Sequence, residues 1–252
     1  MNKKQALRFG LWLTVFFAGV AGVALGRGVL WVNTPSRHTW PVRGVNVSSR
    51  QGEIDWPVLA GQDIQFAYIQ ATEGAGAVDA RFAANLAGAR RSGLRVGACH
   101  LFRFDGAGAA QAANFIAAVP LWRGMLPPAV ALELYGDYRN APPPADQVRR
   151  QLGPLLERLE QYYGAKPLLY ATPAAYELYL AGQYEGYDVW IQDVWGTPRL
   201  PDGRDWTFWQ YSRRQRLEGY GGEGPFIDMN VFYGTAGQFA AYGKQSLRAA
   251  GG

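Results

Sequence analysis

The stretch QFAYIQATEGAGAVDARFAANLAGARRSGLRVGACHLF, residues 65–102, is the part of the sequence that decides the fold class. Apolar residues run almost unbroken through 65–71 and through 95–102, as in strands that are buried on both faces. Between these runs, residues 80–92 place alanine, leucine and phenylalanine at helical spacing. A strand, a helix and a second strand in this order predict a parallel β-α-β unit.

The same alternation continues on both sides of this unit. The remaining apolar runs predict strands at 44–47, 129–134, 167–171, 188–192, 207–211 and 226–231, and helices at 108–119, 146–163 and 174–180. About eight strands suit a closed barrel better than an open sheet. The last strands follow one another through loops too short for full helices. We therefore expect an α/β fold of the irregular, TIM-like β/α barrel type.

The charge distribution argues against a nucleic-acid-binding protein. The chain has 25 Lys and Arg against 20 Asp and Glu, a formal net charge of +5. Everything from residue 43 onward is formally neutral, and a neutral domain lacks the basic surface that phosphate backbones require. The excess comes from five basic residues that precede residue 43 without any acidic one: Lys3, Lys4, Arg8, Arg27 and Arg37.

The N-terminal region predicts a membrane anchor. Residues 9–26 carry no charge and follow a basic segment, an arrangement that keeps the N-terminus inside the cell and exports the rest. A cleaved signal peptide is the alternative, but GVA at 22–24 is a poor cleavage site. The expected organisation is a basic segment 1–8, a signal-anchor or transmembrane helix 9–32, a linker 33–42, a globular domain 43–243 and a flexible tail 244–252.

Several common kinds of site are missing from the sequence. Cys99 is the only cysteine, so no disulfide can form within the chain, and His38 and His100 are the only histidines. The usual ligand sets for zinc are therefore absent. No phosphate-binding loop, dinucleotide fingerprint, metalloprotease motif or serine-hydrolase elbow occurs. We expect neither a metal nor a cofactor.

Polar residues at the predicted strand ends indicate a carbohydrate cleft. Active sites of β/α barrels form at the carboxyl ends of the strands. The polar residues predicted there are mostly carboxylates and amides, and they lie among aromatic residues, whose rings stack on sugar faces. Packing of these rings in the core is the plain alternative. The polar set comprises Asn46, Glu73, His100, Glu133, Asp193, Gln210 and Asp228.

A series of motifs in this order resembles glycoside hydrolase family 25, the lysozyme-like muramidases. The resemblance covers about residues 43–243 and includes the spacing D-x-x-F-x-x-N that begins at Asp79. The other segments that carry it are GVNVS at 44–48, QGEIDW at 51–56, FAYIQATEG at 66–74, GACHLF at 97–102, QAANF at 111–115, LPPAVALE at 126–133, WQYS at 209–212 and IDMNVF at 227–232.

The resemblance implies cleavage of the β-1,4 bond between N-acetylmuramic acid and N-acetylglucosamine in peptidoglycan. The four acidic positions of the family correspond to Asn46, Ala131, Glu133 and Asp228, so two of them are altered here. Glu133 matches the general acid, and Asp228 is expected to stabilise positive charge or orient a water. An amide at 46 keeps shape and hydrogen bonding without charge, whereas the methyl at 131 offers neither.

The interpretation that results is a peptidoglycan muramidase, weakened by these two changes. The alternative is a catalytically impaired module of the same fold that binds or scaffolds peptidoglycan. We expect a bacterial protein anchored in the inner membrane with its domain in the periplasm, or secreted after cleavage, that is a monomer and does not bind nucleic acid. The predicted catalytic residues are Glu133 and Asp228, and the predicted substrate-binding residues are Asn46, Tyr68, His100, Phe102, Tyr135, Tyr170, Trp190 and Gln210.

Overall fold

The computed structural model describes residues 3–26 and 33–243. The strands within these ranges are β1 Arg43–Val47, β2 Phe66–Glu73, β3 Ala77–Val78, β4 Arg95–Leu101, β5 Ala129–Leu132, β6 Leu168–Ala171, β7 Val189–Gln192, β8 Phe208–Gln215 and β9 Ile227–Phe232. The α-helices are α1 Lys3–Gly26, α2 Trp56–Ala60, α3 Phe82–Arg91, α4 Gly108–Ala118, α5 Ala145–Tyr163, α6 Pro173–Tyr179 and α7 Ala236–Ala241.

Eight of the strands close into a barrel. The sheet order is β1-β9-β8-β7-β6-β5-β4-β2-β3, and pairing of β1 with β2 closes the ring, so that β3 is left outside it. The barrel strands are parallel except β9, which runs antiparallel to both β8 and β1. The prediction of an irregular β/α barrel is confirmed. The reversed strand arises because β8 and β9 are joined by a loop instead of a helix, as the short spacing suggested.

Large aromatic side chains fill the inside of the barrel. Tyr68 and Trp190 lie on strands that are not neighbours, and their ring centroids are 4.9 Å apart. Gly97 makes room for this packing, since a Cβ atom there would lie 2.2 Å from the Tyr68 ring. The alternate residues of the strands face outward and pack under the helices, which gives the barrel its two layers of core.

Helices cover most of the outside of the barrel. The longest, α5, buries Val148, Leu152, Leu155, Leu156, Leu159 and Tyr163, which recur at three- and four-residue spacing on one face. It ends at Gly164, whose φ of 66° is the left-handed conformation that favours glycine at a helix end. Predicted helices 80–92, 108–119, 146–163 and 174–180 therefore correspond to α3 to α6, with boundaries that differ by at most two residues.

The segment predicted as a linker, 33–42, packs against the barrel. Trp40 contacts Trp206 and Trp209, with ring centroids 5.1 and 6.2 Å apart, on the part of the outer surface at β8 and β9 that none of the described helices covers. Asn33 donates a hydrogen bond from Nδ2 to the backbone oxygen of Asp193 at 3.4 Å. This segment takes the place of a helix there.

The predicted membrane anchor is not supported by the structure. Helix α1 covers most of the region 9–32, and residues 27–32 lie outside the described ranges, as does the predicted tail 244–252. Within the described ranges, no helix combines the length and the apolar character needed to cross a bilayer.

Candidate active site

A cavity of about 410 Å³ opens at the carboxyl ends of the parallel strands. Asn46 reaches it from the end of β1, and Glu133 follows β5 directly. Asp228 lies near the start of β9 because that strand is reversed, and its Cα is paired with that of Asn46. Seven of the site positions predicted from the sequence, including both altered ones, line this cavity: Asn46, Tyr68, Ala131, Glu133, Tyr170, Trp190 and Asp228.

A chain of hydrogen bonds links Trp190 to Asp228. Trp190 Nε1 donates to Asn230 Oδ1 at 2.9 Å, and Asn230 Nδ2 donates to Asn46 Oδ1 at 2.8 Å. Asn46 Nδ2 then donates to Asp228 Oδ2 at 3.0 Å. An indole nitrogen is only a donor, so it fixes the orientation of both amides. The chain therefore ends with a donor aimed at the carboxylate of Asp228.

Opposing influences act on the pKa of Asp228. Burial raises its pKa to about 6, and the charge of Glu133 adds to that rise. The guanidinium of Arg213 and the hydrogen bond from Asn46 lower the pKa, because both favour the ionised form. Asp228 is thus a carboxyl group that changes charge in mildly acidic solution.

Glu133 is held in a setting that favours its protonated form. Burial raises its pKa, whereas the charge of Arg213 and a hydrogen bond from Tyr170 act in the other direction. The Tyr170 hydroxyl accepts a hydrogen bond from Gln192 Nε2 at 2.8 Å, which leaves its own proton for the carboxylate. A raised pKa is what a general acid requires, because it must hold a proton near neutral pH.

Ala131 presents only a methyl group to the cavity. It lies two residues before Glu133 and is 3% exposed. Its Cα is paired with that of Tyr170 across the β5–β6 ladder, so its side chain points toward the same interior as that ring. The altered position is therefore part of the cavity wall, beside the predicted acid.

Comparison with known proteins identifies the family. The sequence profile described as Glycosyl hydrolases family 25 matches residues 45–220. This chain belongs to that family. The resemblance found in the sequence motifs is confirmed, and family 25 membership supports a glycoside hydrolase of the lysozyme kind at the level of the family.

Relatives of the chain span most of its length. A solved family 25 glycosyl hydrolase from Bacillus anthracis is 43% identical, with a TM-score of 0.80, and the match covers 84% of this chain and 97% of that one. Lysozyme M1 from Streptomyces globisporus is 31% identical over 79% of this chain and 70% of its own length. The uncharacterized protein YegX of Escherichia coli K12 is 32% identical over 84% of this chain and 76% of its own.

Two residues predicted to bind substrate face away from the cavity of this family 25 domain. Cys99 lines the cavity, and consecutive residues of a strand point to opposite faces, so His100 lies under helix α4. His100 Nδ1 is 2.7 Å from Thr72 Oγ1, and Nε2 is 3.0 Å from Gln111 Oε1. Burial lowers the pKa of His100 to about 4. Phe102 is also buried in the outer layer of the core.

Tyr135 and Gln210 are likewise absent from the cavity wall. The Tyr135 ring stacks on Phe104 at 5.5 Å between centroids, and the guanidinium of Arg103 lies over it at 3.8 Å. Gln210 is fully buried inside the barrel, where it favours the ionised form of Asp228 without reaching the cavity. Neither side chain lines the cavity, and the contacts that the structure shows for both are with neighbouring residues.

Two other carboxylates at this end of the barrel are engaged elsewhere. Glu73 forms an ion pair with Arg103 at 3.2 Å. Asp193 Oδ1 accepts hydrogen bonds from the backbone of Trp195 and Gly196 and so fixes the turn after β7. Neither side chain lines the cavity. Among the described residues no cluster of three or more His, Cys, Asp and Glu is placed to hold a metal ion.

The sequence did not reveal that arginine lines this cavity. Strict alternation from the inward-facing Phe208 and Gln210 places Arg213 on the outside of the barrel. The pairing of β8 with β9 shifts its register between Gln210 and Ser212 and again between Ser212 and Gln215. An extra residue in one strand inverts the alternation of the side chains that follow it. Arg213 consequently points inward and lines the cavity. The polar run SRRQR was the only signal.

Proposed function

We propose that this protein is a peptidoglycan muramidase of low turnover, which hydrolyses the β-1,4 bond between N-acetylmuramic acid and N-acetylglucosamine. One observation carries the proposal: Glu133 and Asp228 line a single cavity together with the rings of Tyr170 and Trp190. A pair of carboxyl groups in different environments, next to aromatic rings, is typical of a glycosidase active site.

In the proposed reaction Glu133 is the general acid. Its protonated carboxyl group gives a proton to the glycosidic oxygen as the bond to the anomeric carbon breaks. Asp228, once ionised, stabilises the positive charge that develops on the sugar ring. Asn46 fixes the Asp228 carboxylate through its 3.0 Å hydrogen bond. Water completes the hydrolysis and restores the proton on Glu133.

The expected pH dependence follows from these two roles. Asp228 must be ionised, and its pKa of about 6 makes activity fall below that pH. Glu133 must be protonated, and its raised pKa extends the acid form upward, with activity falling as the pH rises through it. We therefore expect a bell-shaped profile whose loss of activity on the acid side is centred near pH 6.

Low turnover is proposed because two acidic groups of the family pattern are missing. The methyl group of Ala131 cannot polarise the 2-acetamido group of the substrate, and Asn46 contributes no negative charge. Groups aimed at developing charge are typically worth about 3 to 4 kcal/mol each. Glu73 and Asp193 are not placed to replace them, since neither lines the cavity.

We further propose an extracytoplasmic site of action, because peptidoglycan lies outside the cytoplasm. The catalytic unit is taken as residues 43–243, with 33–42 packed on its surface, and it is expected to act as a monomer. Asn46, Tyr170 and Trp190 are the proposed glycan contacts among the residues of the cavity wall.

Release of reducing ends from purified peptidoglycan tests the proposal. The wild-type chain is expected to release them slowly, and Glu133→Gln is expected to abolish the release, because an amide has no proton of suitable acidity to donate. Glu73→Gln is the matched control, since it removes a carboxylate at the same end of the barrel from an ion pair outside the cavity. Equal rates for wild type and Glu133→Gln would contradict the assignment.

The second candidate is a module that binds or scaffolds peptidoglycan without cleaving it. It is favoured by the same two positions, Ala131 and Asn46, which line the cavity but bring no negative charge to it. Binding of muramyl glycans is then expected to alter the fluorescence of Trp190, which lines the cavity, with no new reducing ends in any pH condition.

A further inference from the structure

One cation in the cavity has no ionic partner. Arg213 is exposed and lines the cavity with Glu133 and Asp228, yet it makes no hydrogen bond or ion pair with any other residue in the described ranges. Arg50 lines the same cavity but differs in this respect, because its Nε lies 3.6 Å from a carboxylate oxygen of Glu223. The free guanidinium is therefore a feature of position 213 and not of the whole rim.

The backbone holds Arg213 in this position. It lies within β8, inside the second irregular stretch of the pairing with β9, which runs from Ser212 to Gln215. Ser212 and Gln215 on either side of it are paired with β9, and a residue held between two paired positions of a strand is more firmly placed than one on a loop. The local bulges have a specific result: they bring an arginine to a cavity wall that a regular strand would have supplied with a different side chain.

The charge of Arg213 is directed at the reaction site. It is the foremost of the influences that favour the ionised forms of both Glu133 and Asp228. A neutral hexosamine offers hydroxyl and carbonyl oxygens as hydrogen-bond acceptors but no negative charge to pair with a guanidinium. A muramic acid does, because its lactyl group ends in a carboxylate or carries a peptide with carboxylates of its own. Guanidinium and carboxylate form two parallel charge-assisted hydrogen bonds.

We propose that Arg213 is a specificity-determining residue that binds a carboxylate on the muramyl unit of the glycan and so distinguishes it from a neutral chitin-like chain. This inference rests on the proposed muramidase function. It assigns the residue that recognises the acidic group, and it leaves two sources for that group, the free lactyl carboxylate and the peptide stem.

Occupation of Arg213 by an anion has a consequence for catalysis. The guanidinium lowers the pKa of Glu133, and pairing with a substrate carboxylate weakens that influence. Glu133 then holds its proton more firmly when a carboxylate-bearing glycan is bound. The correct substrate thereby strengthens the acid that its cleavage requires, whereas a neutral glycan does not.

Binding measurements on the full chain test the proposal. Glu133→Gln serves as the parent so that the ligands stay intact, and Arg213→Gln is added to it. Four ligands separate the sources of charge: a peptide-free muramyl glycan, the same glycan with its lactyl carboxylate converted to an amide, a glycan with intact peptides, and chitotetraose. Arg123→Gln is the control, since it removes an exposed positive charge from the loop between α4 and β5 at the opposite end of the barrel.

The expected result is selective. Arg213→Gln weakens binding of at least one carboxylate-bearing ligand by about tenfold or more, as for a lost charge-assisted pair, and leaves the amidated glycan and chitotetraose unchanged. Loss on the peptide-free glycan identifies the lactyl group, and loss only on the peptide-bearing glycan identifies the stem. Arg213→Lys keeps the charge but cannot form two parallel hydrogen bonds. Its affinity for the carboxylate-bearing ligand is expected to lie between those of the parent and of Arg213→Gln.

Two outcomes would overturn the inference in different ways. If Arg213→Gln weakens the binding of charged and neutral ligands equally, or weakens neither, Arg213 does not recognise the carboxylate. That outcome would not contradict the muramidase proposal. Failure of the parent to bind any muramyl ligand would overturn the proposed function as well. Circular dichroism of each variant ensures that a loss of binding is not a loss of fold.

Discussion

Asn46 donates a hydrogen bond from Nδ2 to Oδ2 of Asp228 over 3.0 Å, in a family whose pattern implies a carboxylate at both positions. The amide at 46 is itself oriented by Asn230, which donates to its Oδ1 at 2.8 Å. A second carboxylate in this position would face the first without a proton between them. The change at 46 therefore alters the charge state of the site while its hydrogen-bonding scaffold stays in place.

Substitution Asn46→Asp is expected to destabilise the fold at neutral pH and to do so less in acid. At pH 7 two carboxylates meet at hydrogen-bonding distance and repel, and a buried acceptor loses its donor, which costs about 1 to 3 kcal/mol. Near pH 4 a shared proton restores the contact. Urea denaturation at both pH values measures the difference. An equal loss at the two pH values would contradict the account.

Replacement of Asp228 by Asn tests the raised pKa directly. The pKa of about 6 in the folded state lies above the ordinary aspartate value of 3.8, so this group favours folding most below pH 4 and loses that contribution as the pH rises to 6. Relative to wild type, Asp228→Asn should therefore gain roughly 3 kcal/mol of unfolding free energy between pH 4 and pH 7. Parallel stability curves for the two proteins would rule out the raised value.

His100→Ala is expected to reduce stability without changing glycan affinity. His100 bridges Thr72 and Gln111 under helix α4, and its removal leaves the buried Thr72 hydroxyl without its partner, at a cost of about 1 to 3 kcal/mol, whereas Gln111 Oε1 keeps the backbone N–H of Arg103. Thermal unfolding and a glycan titration at a temperature where the variant is folded separate the two effects. A loss of glycan affinity with unchanged stability would indicate that His100 contacts the glycan after all.

Restoring both missing carboxylates is expected to raise turnover. Asn46→Asp together with Ala131→Asp should increase hydrolysis by at least about tenfold, because each group acts on charge that develops in the transition state. The two positions would flank one sugar ring, so each single change is expected to give less than half of the free-energy gain of the pair. Initial rates of the four proteins on the same peptidoglycan measure this coupling. Additive gains would indicate that the two carboxylates act on separate parts of the substrate.

Much of the fold follows from local patterns in the sequence. Unbroken apolar runs and helical spacing predicted the eight barrel strands and four of the helices, since both periodicities are properties of the backbone. The same alternation rule, applied from Cys99, places His100 on the outer face of β4. The motif-based expectation that His100 and Phe102 bind substrate overlooked that rule.

Other features depend on contacts between distant parts of the chain. The inward placement of Arg213 results from shifts in the β8–β9 register. The packing of Trp40 depends on the part of the outer barrel surface that the described helices leave uncovered. The partners of Glu73 and Tyr135 lie in the loop after β4, where Arg103 meets both. No short window of sequence contains such information. The arginine in the cavity and the packing of residues 33–42 on the outside of the barrel could therefore be seen only in the folded chain.

The identity of the new chain ends tests the central claim most directly. Peptidoglycan treated with the full chain is reduced with borohydride, hydrolysed and analysed for sugar alcohols, which mark the residue at each new reducing end. The account predicts muramitol that accumulates with wild type and is absent with Glu133→Gln. Glucosaminitol in its place, or muramitol formed equally by both proteins, would contradict it.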